Sequence, residues 1–226
     1  MFDYSIVKHF LKQINYKKHA FFSQNHHIYH ALSGFYFSNF DEAIALVSDG
    51  GGESYINITF STLQSIFIIN KNKISDKYKF ISNHKWHHFN YKEKFYEEET
   101  IKNVDYTISN QERAGARYLN YRLKAGFKDH EEGHMMGIAA YKDKETNLDK
   151  KVLEIANKAQ EETLEDFIEL MERAKKYSDC KNIILSGGYH LNCANNFKIV
   201  KKYPEYNFFV DPISYDGGTA VGAAYY

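Results

Sequence analysis

The stretch Ala43-Ile-Ala-Leu-Val-Ser-Asp-Gly-Gly-Gly-Glu53 indicates the fold. The continuous apolar run predicts a buried strand, which would deliver the Asp49 carboxylate at its end. Gly50, Gly51 and Gly52 permit positive φ angles and close backbone approach, so their N–H groups could cradle a phosphate while Asp49 faces a cation. A flexible hairpin turn explains the same residues equally well.

A histidine-rich segment precedes this strand: Gln24-Asn-His-His-Ile-Tyr-His-Ala-Leu-Ser-Gly-Phe35. In a helix, the four-residue step from His26 to His30 stacks two imidazoles on one face, as a metal ion needs. With 11 His in 226 residues, about 0.5 such pairs arise by chance, so the spacing alone is weak evidence. Together with Asp49, the pair gives a metal-site hypothesis with a defined geometry.

Composition excludes several classes of protein. With 226 residues, 43% of them hydrophobic, the chain is long enough for one large domain or for part of a larger protein. A formal net charge of +0 gives no overall field that attracts nucleic acid or anionic lipid. The longest apolar runs are strand-sized, and the Met1 end lacks a secretory core, so we expect no membrane span and a cytoplasmic location.

Hydrophobic periodicity predicts three strands, two helices and then a strand–helix–strand–helix series, which is the order βββαα then βαβα. Such an order indicates a mixed sheet with helices on its faces and a ligand crevice at the strand ends. The predicted elements are helix 5–14, strand 20–22, strands 43–48, 56–61 and 66–69, helix 111–127, a longer helix from 148, strand 182–186, helix 191–200, strand 207–210 and helix 217–226.

Two further glycine loops follow predicted strands. In Ser186-Gly187-Gly188-Tyr-His-Leu-Asn192, glycines at a strand-to-helix turn would let a nucleotide lie against the positive end of the helix, with Asn192 offering amide contacts. In Asp216-Gly217-Gly218, the aspartate could cap a closely packed small-residue helix, and this role is compatible with a functional one.

Two other clusters compete for a metal. His130-Glu131-Glu132-Gly133-His134 matches the His-Glu-x-x-His pattern of zinc proteases, for which chance expectation is about 0.04. Its polar, glycine-containing context and the lack of a nearby third ligand argue against a catalytic helix. The second cluster, His84-Lys-Trp-His87-His88, is interpreted as a surface loop.

Taken together, the motifs resemble the NodU and cephalosporin-hydroxymethyl carbamoyltransferase (NodU/CmcH) family. This resemblance implies the actin-like ATPase/sugar-kinase-like (RNase H-like) fold, a mixed sheet with helices on both faces, and kinship with the enzymes that make threonylcarbamoyladenosine in tRNA. The matching segments are 26–35, 43–53, Ala114-Gly-Ala to Gly126-Phe127, 132–141, 182–196 and 211–224.

The resemblance also implies roles for the candidate residues. His26, His30, Asp49 and Asp216 occupy the positions that hold a catalytic divalent metal, assigned as Fe(II) in the family. On the cofactor side, Gly50, Gly51 and Gly52 would meet phosphate, while Gly187, Gly188 and Asn192 would lie toward the adenosine of ATP or carbamoyladenylate. Gly217 would also bind the cofactor.

The implied chemistry uses carbamoyl phosphate and ATP to form carbamoyladenylate, and then passes the carbamoyl group to a hydroxylated small-molecule acceptor. His27, between the two metal-binding histidines, could remove the hydroxyl proton, or it could be a packing or supporting histidine.

Two family segments have no match: a Gly-x-x-His-Asp phosphate hairpin within residues 1–25 and a YrdC-like domain beyond Tyr226. We therefore expect a single partial transfer domain, with 1–42 as a remnant of its first half carrying the histidine helix and 43–226 as its second subdomain. A protein partner would carry the missing segments. The alternatives are a non-catalytic nucleotide-binding or assembly module of the same fold and a zinc metalloprotease.

Overall fold

The computed structural model describes residues 25–55, 60–83 and 103–226. The predicted helix 5–14, strand 20–22 and histidine cluster 84–88 lie outside these residues, as do residues 56–59 of the predicted strand 56–61. The described helices are α1 (His26–Ser38), α2 (Ala114–Lys124), α3 (Glu132–Ala139), α4 (Lys150–Ala174), α5 (Cys193–Lys202) and α6 (Gly217–Tyr225). The strands are β1 (Glu42–Ser48), β2 (Ser54–Tyr55), β3 (Phe60–Asn70), β4 (Lys73–Asn83), β5 (Asp105–Ser109), β6 (Asn182–Ser186) and β7 (Asn207–Val210).

The strands form one mixed sheet in the order β5-β4-β3-β1-β6-β7, and β2 pairs with one end of β3. Its central strand, β1, runs antiparallel to β3 and parallel to β6. Because β1 is buried on both faces, its sequence is continuously apolar. Its last residue, Ser48, therefore brings Asp49 to the carboxyl end of the strand.

Helices cover both faces of this sheet. On one face, α1 packs Ala31, Leu32 and Phe35 against Ala45 and neighbouring apolar residues. On the other, α4 packs a helical stripe against Ile44, Leu46 and their neighbours; the stripe comprises Phe167, Leu170, Met171 and Ala174. Within the described part of the chain, no helix combines the length and the apolar character needed to cross a lipid bilayer.

The predicted element order βββαα is incomplete. The structure adds β2, β4, β5 and α3, and it joins the predicted strand at 66–69 and the residues before it into one strand, β3. β4 escapes prediction because it buries Lys79 and carries Asp76, charged residues that are uncommon inside strands. Strands 182–186 and 207–210 agree with the structure, and the division of the chain at residue 42 stays a prediction.

Candidate metal centre and ligand cavity

The first two turns of α1 supply two of the four predicted ligands. His26 and His30 lie one helical turn apart, and their Nε2 atoms are 3.1 Å from each other. The His30 side chain is 0% exposed, whereas that of His26 is 26% exposed. The helix ends at Asn39, whose φ of 56° is left-handed.

Two aspartates face these nitrogens from distant parts of the chain. At the end of β1, Asp49 places its Oδ2 3.0 Å from His26 Nε2 and 3.7 Å from His30 Nε2. Asp216, immediately before α6, places its Oδ1 3.5 Å and 3.6 Å from the same two atoms. The four candidate ligand atoms thus lie within 4.8 Å of one another. A helix, a strand end and a second helix converge on one point.

The strand-end loops fix Asp49 closely. The Gly188 N–H donates to Asp49 Oδ1 at 3.0 Å, which leaves Oδ2 to face the histidines. Gly187 has a φ of 94°, and a Cβ there would overlap the carbonyl of Ser48. Only glycine permits this conformation and this approach together. A Cβ at Gly115 in α2 would likewise overlap the Asp49 backbone.

Small residues allow α6 to pack closely against α1. A Cβ at Gly222 would overlap the Tyr29 carbonyl of α1, and one at Gly218 would overlap the Ile213 carbonyl and approach Ser33. The close approach of the two helices is what brings Asp216 to the histidines. The predicted small-residue helix therefore has a packing role in addition to presenting a carboxylate.

The electrostatics of the cluster favour a bound cation. Burial disfavours a charge on His30, but its hydrogen bonds to Asp216 and Asp49 outweigh burial and raise its pKa to about 9. Burial would also raise the pKa of Asp49, yet hydrogen bonds from His26 and His30 hold it well below its usual range. Two imidazole nitrogens with two carboxylate oxygens form a donor set suited to Fe(II) and related divalent ions. The residues present fit a divalent metal.

A cavity of about 570 Å³ opens beside the cluster. Among the predicted site residues, six line it: Asp49, Gly50, Gly51, Gly188, Asn192 and Asp216. Most of the remaining wall is aromatic or apolar, with contributions from Tyr118, Leu119, Met136, Tyr189, Leu191 and Tyr215. A mainly apolar cleft with a few polar groups is typical of small-molecule sites.

Several of the predicted cofactor-binding glycines are also required by local packing. Gly50, Gly51 and Gly52 do not use the positive φ angles that glycine permits; among the described glycines, those angles occur at Gly126 and Gly187. Gly52 is instead small because the His27 ring lies against it. A Cβ at Gly217 would meet the ring of Tyr215.

Asn192 acts first as a helix cap. Its Oδ1 accepts from the Asn195 N–H at 3.2 Å, which caps α5, and its Nδ2 donates to Gln160 Oε1 at 3.0 Å. These bonds fix the orientation of the side chain at the cavity wall. One amide hydrogen of Asn192 remains for a ligand.

His27 is enclosed and does not line the cavity. It is 0% exposed, its Nδ1 lies 2.8 Å from Ser65 Oγ, and burial lowers its pKa to about 3. In this structure the ring is not exposed to the cavity in which an acceptor would bind. The geometry favours the interpretation of His27 as a supporting histidine.

The protease motif lacks the geometry that its pattern needs. His130 lies before α3 with a left-handed φ of 67°, and Glu131 is the N-cap of that helix. His130 and His134 therefore do not share a helical face. Among the described residues, the one group of three or more potential metal ligands is the His26, His30, Asp49 and Asp216 cluster.

Glu53 and Gly115 contact the candidate site, although sequence patterns predict no role for either residue. Both lie inside motifs quoted above, yet their function depends on contacts with distant segments: Glu53 with α1 and Gly115 with Asp49. The only local signal for Glu53 is a single acidic residue directly after three glycines and between two predicted strands.

The fold resembles that of several solved structures. Full-length HypF in its phosphate- and nucleotide-bound form matches with a TM-score of 0.56 and 14% identity, over 88% of this chain and 41% of that one. Component A of the Acidaminococcus fermentans (R)-2-hydroxyglutaryl-CoA dehydratase matches with a TM-score of 0.48 and 12% identity, over 88% and 65%. A Streptococcus pneumoniae TIGR4 ROK family protein in complex with sucrose gives 0.46 and 13%, over 89% and 63%. The chain thus spans between 41% and 65% of these proteins.

The likeness to HypF shows the fold alone, and the predicted fold class is confirmed. Residues 2–225 match the family model described as Carbamoyltransferase N-terminus. The chain therefore belongs to this carbamoyltransferase family. A search of curated proteins gives no match.

Proposed function

We propose that this protein transfers a carbamoyl group from carbamoyladenylate to the hydroxyl group of a small molecule, with a divalent metal ion held by His26, His30, Asp49 and Asp216. One observation carries the proposal. In a member of a carbamoyltransferase family, these four side chains converge within 4.8 Å at the edge of a cavity of about 570 Å³. We propose Fe(II) as the metal, in keeping with the NodU/CmcH resemblance.

The transfer step is balanced without a redox partner. The acceptor oxygen bonds to the carbamoyl carbon, the bond from that carbon to the phosphate oxygen breaks, AMP leaves, and the hydroxyl proton passes to solvent. A bound divalent ion would supply Lewis-acid polarisation of carbonyl and phosphate oxygens. Gly50, Gly51 and Gly188 offer backbone at the cavity wall, and Asn192 with the aromatic walls would hold the adenosine.

The donor is part of the same proposal. Carbamoyladenylate would be made from carbamoyl phosphate and ATP by a protein partner carrying the phosphate hairpin and the YrdC-like domain. Reconstitution tests this point: AMP release that depends on the acceptor should appear when the partner is added. Equal AMP release with the partner omitted would contradict partner dependence.

Metal analysis of the purified protein tests the centre itself. Wild type should bind about one divalent ion per chain, and His30→Ala and Asp49→Asn should lose it together with carbamoyl transfer. His134→Ala is the matched control, because His134 is an exposed histidine outside the cluster and should retain both properties. Folded wild-type protein that binds no stoichiometric divalent metal would contradict the proposal.

A non-catalytic nucleotide-binding module is the second candidate, and the apolar cavity wall favours it independently of the metal ligands. If this candidate is correct, ATP analogues should raise the Tm of wild type and of His30→Ala equally, and no carbamoyl transfer should follow on adding the partner. Loss of the Tm shift in His30→Ala would favour the transferase.

A further inference from the structure

Helix α1, which carries both histidine ligands, is capped from a distance. Its N-cap residue, Asn25, makes no side-chain capping hydrogen bond, and the first turn contains no acidic residue. Instead, the N–H of His27 donates to Glu53 Oε1 at 2.9 Å. The first N–H groups of a helix have no partners within the helix, so this carboxylate replaces a local cap.

Glu53 is itself held firmly to the sheet. Its carbonyl accepts from the Thr62 N–H at 2.9 Å, and the Gly52 N–H donates to the Thr62 carbonyl at 2.7 Å. These two backbone bonds fix the loop from Asp49 to Glu53 on β3. The Glu53 backbone therefore has little freedom to follow α1 if the helix shifts.

A buried lysine completes the arrangement. Lys79 Nζ of β4 lies 3.6 Å from Glu53 Oε2 and 3.1 Å from Asp76 Oδ2, and the side chains of Glu53 and Lys79 are 2% and 3% exposed. Burial disfavours the Glu53 charge, but contacts with His27 and the Lys79 ammonium outweigh burial and lower its pKa to about 2. Burying an ion pair costs free energy unless its geometry is good. This pair lies where Glu53 contacts the helix that carries His26 and His30, which suggests a role in holding that helix.

The hydrogen bond between Glu53 and the His27 N–H holds the histidines of the candidate metal cluster in place relative to Asp49. Glu53 holds the backbone of His27, whose ring is held in turn by Gly52 and Ser65. His26 and His30 flank His27 on the same helix, while Asp49 lies at the other end of the loop that ends in Glu53. The Glu53 carboxylate thus links the helix that carries His26 and His30 to the loop that begins with Asp49.

We propose that Glu53 is a positioning residue for the metal centre. Its carboxylate sets the separation between the His26 and His30 nitrogens and the Asp49 carboxylate without contacting the ion. The inference rests on the metal site of the proposed function. It predicts that metal affinity and coordination geometry depend on the charge and the length of the side chain at position 53.

Co(II) titration of the purified chain tests this role, because the visible spectrum of bound Co(II) reports ligand geometry independently of protein stability. Glu53→Asp keeps the charge but is one methylene too short to reach the His27 N–H, and should lower Co(II) affinity about 10- to 100-fold with a changed spectrum. Glu53→Gln keeps the length and should show a smaller loss. Asp76→Asn, which alters the other partner of Lys79 without contacting α1, should stay within about 2-fold of wild type.

The outcomes separate the two proposals. If wild type binds Co(II), and both folded Glu53 variants match its affinity and spectrum, the positioning role is wrong while the metal site stands. If Glu53→Asp does not fold, wild-type affinity and spectrum in Glu53→Gln overturn the role. If folded wild type binds no Co(II), the metal site fails and the positioning role fails with it.

Discussion

Helices α1 and α4 begin in opposite ways. α4 carries its own start signal, because the Asp149 side chain accepts from the N–H groups of Lys151 and Val152. Its apolar stripe is also clear in the sequence, and the helix was predicted from periodicity alone. α1 has no local cap and takes its first partner from Glu53, on the far side of a strand.

The difference follows from what each helix does. α4 is a scaffold, whose first turn is free to hold a capping aspartate and whose stripe only needs to pack. In α1 the first turn is occupied by His26, a proposed metal ligand, and by His27, whose ring lies against Gly52 and Ser65. A helix whose first turn carries ligands must obtain its cap, and its position, from elsewhere in the fold.

Disrupting the packing of α6 on α1 should have the largest effect on stability and metal binding. In Gly222→Ala, the added methyl group would overlap the Tyr29 carbonyl and push α6 off α1, lowering the free energy of unfolding by about 3 kcal/mol and abolishing metal binding. Gly137→Ala is the matched control, since Gly137 is also helical but has no neighbour within 4 Å of a Cβ. Urea unfolding and metal analysis measure both, and wild-type behaviour of Gly222→Ala would contradict the packing argument.

Acid should weaken the packing of α4 against the loop that follows β6. His190 packs on Phe167 of α4, and burial lowers its pKa to about 4. The unfolded chain therefore binds more protons between pH 6.5 and 4, so this group's contribution to stability is lost as pH falls, by about 2 kcal/mol between pH 7 and 5. Urea unfolding of metal-free wild type and His190→Leu at both pH values measures it. An unchanged pH dependence in the variant would count against this assignment.

Removing the local cap of α4 should have the smallest effect. Asp149→Ala deletes the acceptor for Lys151 and Val152 at an exposed site and should lower the free energy of unfolding by about 1 kcal/mol. Metal affinity should not change, in contrast to the Glu53 variants. Chemical unfolding measures the change in stability, and Co(II) titration measures metal affinity. Weaker Co(II) binding in Asp149→Ala would contradict the proposal that only the cap of α1 affects the metal site.

Sequence predicts those parts of this protein that local pattern specifies. β1 and β6 are apolar because they are buried on both faces, and α4 repeats its stripe every turn. Helical spacing pairs His26 with His30 and a strand end adds Asp49, whereas Asp216 joins them only through the NodU/CmcH resemblance, because its local pattern equally fits a helix cap. β4 was missed because its buried Lys79 is stable only opposite Glu53 and Asp76, which are brought there by tertiary structure.

The cavity wall also joins remote parts of the chain. Gly50 follows the central strand, whereas Tyr215 and Asp216 precede the last helix. A ligand that touches both can bind only when the whole sheet is assembled, so its binding free energy opposes global unfolding more than local opening. Amide hydrogens in the slowest-exchanging core strands should therefore gain protection from a molecule that never touches them.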